Sequence, residues 1–418
     1  MERRVFMKEG ALALVTLGLS PRFLRRTAFG MELSHARQGK KTLICLFQRG
    51  AADALNIVVP HGETAYYSMR PSIGIPQQTV LDLDGFFGFH PSLAPFKSLY
   101  DRKLLAPVTA VGSPSATRSH FDAQDYMETG TPDDKNTPDG WLNRYLAVKG
   151  TCQECETGKA TPFRAVALAP QTPRILEGPA PTVAMNSLAE FSIRATGNDV
   201  ERLEALYRTG SADLVHGTGA EMFDAVKMLK AANPQSYQPS NNAVYPRSQF
   251  GQRLQQIAQL IKMDLGVEIA FADVGGWDTH VNQGAATGQL ANRLDDFAKS
   301  IEALVNDLGD RMSDVTILTM SEFGRMAKEN GNGGTDHGHA GALFVIGGDV
   351  KGGKVYGKWP GLQPEQLYEG RDLALTTDFR SVFAEVAGRH LGASKLGEIF
   401  PGYSGSNRDW LGVVGATV

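Results

Sequence analysis

Long apolar runs, cysteine and an excess of charge of either sign are all scarce in this sequence. Its 418 residues include only three cysteines, and the formal net charge is −3. No apolar run reaches the roughly 18 residues that a membrane-spanning helix needs, so we expect no stable membrane span. The basic residues form no stripe along the chain, which argues against a nucleic-acid partner. What remains is an ordinary globular composition, with 42% hydrophobic and 21% charged residues.

The three cysteines do not indicate a metal or redox site. Cys45 lies in an apolar run and is expected to be a buried small side chain. Cys152 and Cys155 form a C-x-x-C pair in a polar stretch. A zinc site would need two further ligands nearby, and a redox motif would need a βαβ context. A local disulfide across an inserted loop is therefore the favoured interpretation for an oxidising compartment.

The first forty residues differ from the rest in charge. They carry eight Lys and Arg against three Glu, a balance of +5, which leaves −8 for the remainder. They begin with ERRVFMKEG, followed by a short, weakly apolar stretch from Ala11 to Leu19. This layout resembles a twin-arginine export signal. The resemblance predicts a signal at 1–40, the twin-arginine export machinery as a partner, and a single periplasmic or extracellular domain at 41–418. The alternative is a basic amphipathic helix.

Beyond this segment, apolar runs that suit buried strands alternate with stretches of helical spacing. The strand-like runs are Leu43–Phe47, Leu104–Val111, Phe163–Leu168, Val267–Val274, 315–320 and GALFVIGG, and helices are expected after Ser119, over 250–261, over 290–308 and after Asp378. Strands and helices that alternate in this way predict an α/β fold with three layers, α/β/α, and a largely parallel central sheet. Right-handed crossovers would bring the ends of the parallel strands to one edge, where ligands bind.

Polar residues follow the predicted strands, at the points where the chain should reach that edge. In chain order they are Asp53, Ser119 and His120, Asp278 and His280, Glu322 and Arg325, and finally Asp336, His337 and His339. Because five segments distant in sequence carry these side chains, their convergence on one rim is a prediction of topology. The last group lies in NGNGGTDHGHAG, where glycines allow the backbone to approach a ligand closely.

Each candidate also has a purely structural explanation. Asp53 and Ser119 could cap the helices or turns that follow them, and Glu322 could simply pair with Arg325. Carboxylates and imidazoles without cysteine nevertheless suit zinc or manganese, and with fewer histidines they suit magnesium or calcium. The set has too many ligands for one tetrahedral zinc. It fits two metals that share a bridging group, or one metal with acid/base residues beside it.

Five segments of the chain carry a family resemblance. RGAADALNIVVP, SHFDAQDYMETG, GGWDTH, SEFGR and GTDHG resemble those of a large bacterial family of unknown function. That family is grouped with the alkaline-phosphatase-like superfamily of phosphatases, sulfatases and cofactor-independent phosphoglycerate mutases. The similarity extends from about Lys41 to the C terminus. It implies an alkaline-phosphatase-like fold, but membership of the family implies no established reaction.

The superfamily pattern implies a role for most of the candidates. The implied metal ligands are Asp53, Asp278, His280, Glu322, Asp336 and His337. Ser119 matches the nucleophile that the superfamily places at a helix N terminus, and Arg325 could hold an anionic substrate as a fork donor. Phe323 stands where the superfamily has a metal-binding histidine. The expected function is therefore an exported metal-dependent hydrolase of a small phosphate or sulfate ester.

Two other functions stay open on the sequence. Phe323 favours a binding protein on the same scaffold that has lost turnover. A serine hydrolase would use Ser119 with His120 or His280 and an aspartate. The chain lacks the G-x-S-x-G elbow of such enzymes, and neighbouring Ser and His on one helical turn do not readily form a nucleophile–base pair.

Overall fold

A computed structural model describes residues 41–150, 161–188, 225–229, 236–404 and 407–415. The predicted export signal, Cys152 and Cys155 lie outside these residues. Among the helices described, none combines the length and the apolar character that a bilayer crossing requires.

The described residues contain a large sheet and a small one. In chain order the strands are β1 (Thr42–Gln48), β2 (Val58–Val59), β3 (Leu81–Asp82), β4 (Gly88–Phe89), β5 (Leu105–Gly112), β6 (Ala165–Leu168), β7 (Val183–Met185), β8 (Ile269–Val274), β9 (Val315–Met320), β10 (Gly341–Gly347) and β11 (Thr377–Asp378). The large sheet has the strand order β11-β5-β10-β9-β1-β8-β6-β7, and β2, β4 and β3 form the small sheet.

All strand pairs of the large sheet are parallel except the two made by β10. Strand β1 runs parallel to both β8 and β9, β8 to β6, β6 to β7, and β5 to β11. Strand β10 is antiparallel to β5 and to β9. The predicted largely parallel sheet is therefore confirmed. Because β10 is reversed, its first residue lies at the edge where β5 and β9 end.

Helices cover both faces of this sheet. In chain order they are α1 (Ala54–Ile57), α2 (Thr64–Met69), α3 (Ala94–Asp101), α4 (His120–Thr129), α5 (Trp141–Gly150), α6 (Gln249–Lys262), α7 (Gln289–Leu308), α8 (Phe379–Glu385) and α9 (Leu396–Ile399). Apolar side chains of α3, α6 and α7 pack on one face, and those of α5, α8 and α9 on the other. The three-layer α/β/α prediction is thus confirmed.

Strand β1 shows why its sequence forms a central strand. All seven of its residues are buried. Ile44 and Leu46 point into the core with α6 and α7, whereas Leu43, Cys45 and Phe47 point into the opposite core. A strand covered on both faces needs apolar residues at successive positions instead of an alternating pattern. Cys45 is a buried free thiol, as the apolar run predicts.

Candidate metal centre

The site lies where β1, β5, β8 and β9 end and β10 begins. Two short segments, 324–326 and 336–339, pair through their backbones at this edge. Gly324 N–H donates to His339 O at 2.8 Å, Gly338 N–H to Gly324 O at 2.9 Å, and Met326 N–H to Asp336 O at 2.9 Å. This pairing brings the Asp336–His337 segment, which precedes β10, against the segment that follows β9.

Glycine makes this close approach feasible. A Cβ on Gly338 would lie 2.3 Å from the carbonyl carbon of Arg325, and one on Gly334 would lie 2.4 Å from the carbonyl carbon of His280. Both positions therefore exclude any side chain unless the neighbouring backbone moves. The glycine-rich sequence before β10 serves tight packing of the backbone around the site.

Two histidines and an aspartate from three separate segments converge at this edge. His120, Asp278 and His337 offer ligand atoms that all lie within 4.8 Å of one another. His120 is the first residue of α4, Asp278 follows β8, and His337 precedes β10. His280 adds a third imidazole, with its Nε2 atom 3.0 Å from Asp278 Oδ1 and 3.0 Å from His337 Nε2.

Each of the three imidazoles has its Nδ1 atom next to an oxygen that accepts hydrogen bonds. His120 Nδ1 lies 2.8 Å from Glu322 Oε1, and His337 Nδ1 lies 2.8 Å from the carbonyl oxygen of Arg118. His280 Nδ1 lies 3.2 Å from Asp336 Oδ1. A carbonyl or carboxylate oxygen can only accept here, so each Nδ1 carries the proton and each Nε2 of a neutral ring is a bare lone pair.

These lone pairs point at one another and at a carboxylate. His120 Nε2 is buried without a hydrogen-bond partner and lies 3.5 Å from Asp278 Oδ2. His337 Nε2 lies 3.5 Å from Asp278 Oδ1 and 3.0 Å from His280 Nε2. Arg325 offsets part of the repulsion among these atoms, through its ion pair with Asp278 and through Nη1, 3.4 Å from His280 Nε2, and a cation or an added proton among the atoms would offset the rest. Two nitrogens bound tetrahedrally at about 2.0 Å are roughly 3.3 Å apart, so the spacing fits ligands of one ion.

The charges around the imidazoles also favour a cation. Asp278 lies against all three histidines, Glu322 contacts His120 and Asp336 contacts His280, whereas Arg325 contributes one positive charge through its ion pair with Asp278. With neutral imidazoles, these groups carry two net negative charges, which a divalent ion would balance. Imidazole nitrogens with one carboxylate suit zinc or manganese better than calcium or magnesium, which prefer oxygen ligands alone.

The protonation states of the group fit the same interpretation. Burial lowers the pKa of His337, which favours the neutral ring. Burial alone would raise the pKa of Asp278, but the hydrogen bond and charge of Arg325, together with the nearby histidines, outweigh it and lower the pKa. The hydrogen bond with Glu322 raises the pKa of His120, so a proton would compete with a metal ion at this ring.

The structure places Glu322 and Asp336 behind the converging atoms, each against the Nδ1 atom of a histidine. Glu322 is fully buried, and its Oε1 atom also accepts hydrogen bonds from Gly50 N–H at 2.8 Å and Gln124 Nε2 at 2.9 Å. Asp336 also accepts from Asn330 Nδ2 at 3.0 Å. Both carboxylates orient imidazoles, because their oxygens accept the Nδ1 protons. The sequence had predicted both as direct ligands.

Asp53 is not a member of the converging group. Its carboxylate forms a fully buried ion pair with Arg70, 2.6 Å between Oδ2 and Nη1, and also accepts from Gln283 Nε2 at 2.7 Å. Arg70 already neutralises this charge, so the electrostatic reason for a metal ion at Asp53 is removed. Asp53 does follow the first strand, as the sequence predicts, but its partner is Arg70, which lies in no segment that directly follows a strand of the large sheet.

Ser119 and Arg325, the two residues predicted to act on the substrate, differ in whether their side chains already have partners within the protein. Ser119 is the half-buried N-cap residue of α4, and its side chain makes no capping hydrogen bond. Its hydroxyl is therefore not committed to the helix that it precedes. The Arg325 side chain is fully buried and ion-paired to Asp278, and its N–H groups donate to backbone carbonyls. It is therefore not free to bind a substrate from solvent.

The sequence analysis does not include His120 among the candidate metal ligands, although it places this residue at the correct edge. The available signal was its location at the first turn of a helix that follows a strand, since helical side chains tilt toward the N terminus. Phe323 lies beside this residue, with its ring centroid 5.0 Å from that of His120 and 5.1 Å from that of His337. An apolar ring therefore lines the group on this side. His339 instead stacks on Tyr368.

The fold and this site define an α/β protein with a histidine-rich candidate cation centre at the edge of its sheet where most strands end. The chain belongs to the family described as "Protein of unknown function (DUF1501)", whose model matches residues 40–399. A search of curated proteins finds no significant match. Among solved structures, the chain is similar to a sulfatase, PsFucS1, from Pseudoalteromonas sp., with 14% identity and a TM-score of 0.34. The match covers 76% of this chain and spans 64% of the sulfatase.

Proposed function

We propose that this protein is an exported metal-dependent hydrolase of small phosphate or sulfate esters. The observation that carries the proposal is the set of three imidazoles whose Nδ1 atoms face acceptors and whose Nε2 atoms converge around Asp278. His120, Asp278, His280 and His337 would hold the ion, with zinc or manganese favoured. A divalent ion at this place supplies Lewis acidity, which polarises an ester oxygen and lowers the pKa of a bound hydroxyl.

Ser119 is the proposed nucleophile. It precedes His120 directly, and the N terminus of α4 favours the negative charge that develops on a reacting oxygen. In the proposed step, a bond forms between Ser119 Oγ and phosphorus or sulfur while the bond to the alcohol oxygen breaks. The serine proton ends on the departing alcohol oxygen, and water then hydrolyses the serine ester.

The first experiment tests the metal. Purified protein is analysed for zinc and manganese, stripped with a chelator and titrated with each ion, and ester turnover is measured before and after. We expect one of the ions to bind, His120→Ala to abolish binding, and turnover to return with the ion. His61→Ala is the matched control, because His61 pairs with Asp82 and does not belong to the converging group. A stripped protein that hydrolyses esters at the original rate would exclude the proposal.

A second experiment tests Ser119. Ser119→Ala should abolish ester turnover but leave metal content and folding intact. Ser248→Ala is the control, since Ser248 caps α6 through Gly251 N–H, away from the site. Loss of that cap costs about 1 kcal/mol of stability and should leave turnover unchanged. Undiminished turnover in Ser119→Ala would exclude this nucleophile.

Phe323 favours a second candidate function, a metal-binding protein without turnover. Its ring occupies the place beside His120 and His337 where the superfamily pattern has another ligand. Metal binding combined with no hydrolysis across a panel of phosphate and sulfate esters would support this alternative. The serine hydrolase hypothesis has less support, because among the described residues Ser119 Oγ makes no hydrogen bond to His120 or His280, and the Nε2 atoms of both histidines face Asp278.

A further inference from the structure

Arg325 makes an unusually complete set of contacts for a charged side chain. Its Nε donates to Ala51 O at 2.7 Å, and Nη1 donates to Thr335 O at 3.0 Å. Nη2 donates to Gly50 O at 2.7 Å and Trp277 O at 3.2 Å, and it also forms the ion pair with Asp278. These carbonyls belong to the segments that follow β1 and β8 and the segment that precedes β10.

The remaining Nη1 proton faces a histidine of the site. Nη1 lies 3.4 Å from His280 Nε2, a long contact that would give way to a metal ion bound to that nitrogen. A guanidinium has five N–H groups, and the other four have partners in these segments or in Asp278. The side chain is fully buried, so it is not exposed to an anionic substrate in solvent.

We propose that Arg325 is a positioning residue for the metal centre, one that fixes Asp278 and the three surrounding segments in the geometry that binds the ion. This inference rests on the proposed metal site. By bonding Asp278 Oδ1, Arg325 selects the orientation in which Oδ2 faces His120. By bonding Thr335 O, it also anchors the chain two residues before His337.

The close packing of the segments explains why a planar, five-donor side chain is required. A Cβ on Gly50 would lie 2.7 Å from the backbone nitrogen of Asp278. The carbonyls of Gly50, Ala51 and Trp277 are thus crowded into one small volume, where each needs a donor. An ammonium group offers three donors from a single point and cannot reach all of these acceptors at once.

Arg325→Lys is the test, because it keeps the positive charge and removes the planar guanidinium with its five donors. Arg144→Lys is the matched control. Arg144 is also buried. It lies on α5 and donates to the carbonyls of Asp139, Ile399 and Thr129, the last residue of α4, and to the Asp139 carboxylate, but it contacts no residue of the centre. Zinc affinity is measured by chelator competition, coordination by the visible spectrum of the cobalt-loaded protein, and folding by thermal unfolding without metal.

We expect Arg325→Lys to bind zinc 10- to 100-fold more weakly than the wild type, the usual effect of removing a residue that orients metal ligands. Its cobalt spectrum should change, because Asp278 loses its fixed orientation. Arg144→Lys should lower thermal stability and leave both the zinc affinity and the spectrum unchanged. Guanidinium ion at millimolar concentration should restore zinc affinity to Arg325→Ala, whereas sodium ion should not.

The outcomes separate this inference from the proposed function. A wild-type protein that binds no metal would overturn both. Wild-type affinity and spectrum in Arg325→Lys would overturn the positioning role and leave the metal site standing. Failure of both Arg325 variants to fold, with Arg144→Lys and Arg144→Ala folded, would also overturn it, because Arg325 would then be required by the whole fold and not by the centre.

Discussion

The role of each carboxylate at this site depends on the atom that it contacts, and Glu322 contacts the Nδ1 atom of His120. It is fully buried, and its contact to His120 Nδ1 sets which nitrogen of that ring is free. Burial alone would raise the pKa of Glu322, but hydrogen bonds from His120 and Gln124 outweigh it and lower that pKa. The carboxylate is therefore ionised at neutral pH and holds the Nδ1 proton of His120.

A pair of substitutions at Glu322 tests this role. Glu322→Gln keeps an oxygen that accepts from His120 Nδ1, whereas Glu322→Ala removes it. We expect Glu322→Ala to weaken metal binding 10- to 100-fold and Glu322→Gln to cost clearly less. Metal titration of both variants is the measurement. Equal loss in the two would mean that Glu322 binds the ion directly through its charge, as the sequence pattern implies.

Among the elements, the reversed strand β10 decides how the site is completed. A parallel strand in this position would begin at the opposite edge of the sheet and carry His337 away from Asp278. The antiparallel direction brings its N-terminal end to the edge where β9 ends. The paired segments 324–326 and 336–339 then extend this contact into the site. The direction of β10 therefore decides whether His337 can join His120 and Asp278, and the periodicity of the sequence does not encode that direction.

The glycines near these paired segments differ in how much space they have for a side chain. A Cβ at Gly338 would meet the Arg325 carbonyl carbon at 2.3 Å, whereas one at Gly331 would meet nothing within 4 Å. Gly338→Ala should therefore push the two segments apart and weaken metal binding. It should also lower the free energy of unfolding by about 1–3 kcal/mol, which is the usual cost of overpacking. Gly331→Ala should change neither. Chemical denaturation and metal titration provide the comparison, and equal behaviour of the two variants would contradict the close-packing argument.

At the scale of the whole molecule, a buried charge cluster ties α5 to the sheet. Glu268 precedes β8 and pairs with Arg164 at 2.7 Å, and it also contacts Lys149 and Tyr145 of α5. Burial would raise the pKa of Glu268, but Arg164 and Lys149 outweigh it and lower the value from 4.5 to about 2. A carboxyl with a depressed folded-state pKa stabilises the fold above its unfolded-state pKa.

This cluster predicts a pH dependence of stability. The ionised form of Glu268 should contribute about 3 kcal/mol at neutral pH, and this contribution should disappear as the pH falls from 4.5 towards 2. The difference in unfolding free energy between wild type and Glu268→Gln should shrink over the same range. Denaturant titrations at several pH values measure it. Glu398→Gln, at an exposed carboxylate, should show almost no difference at any pH.

Export is the other whole-molecule prediction. Replacing Arg3 and Arg4 with lysine keeps the charge of the N-terminal segment and should trap the precursor in the cytoplasm, because a twin-arginine signal is read as a paired-arginine motif. Arg25 and Arg26 provide a matched control, a second arginine pair in the same segment whose replacement by lysine should leave export intact. Cell fractionation is the measurement, and normal export of the first double variant would contradict the prediction.

The sequence by itself determined the layers of this protein and the edge at which its polar residues meet. Apolar runs such as Leu43–Phe47 become strands, and the spacing from Leu290 to Leu308 becomes a helix, because both patterns record local periodicity and burial. Only the tertiary structure decided what each polar side chain does at that edge. Asp53 pairs with Arg70, Glu322 contacts His120 from behind at Nδ1, and the Nε2 atom of His120 faces Asp278. Those outcomes depend on partners tens to hundreds of residues away, and on strand direction, so no local pattern contains them.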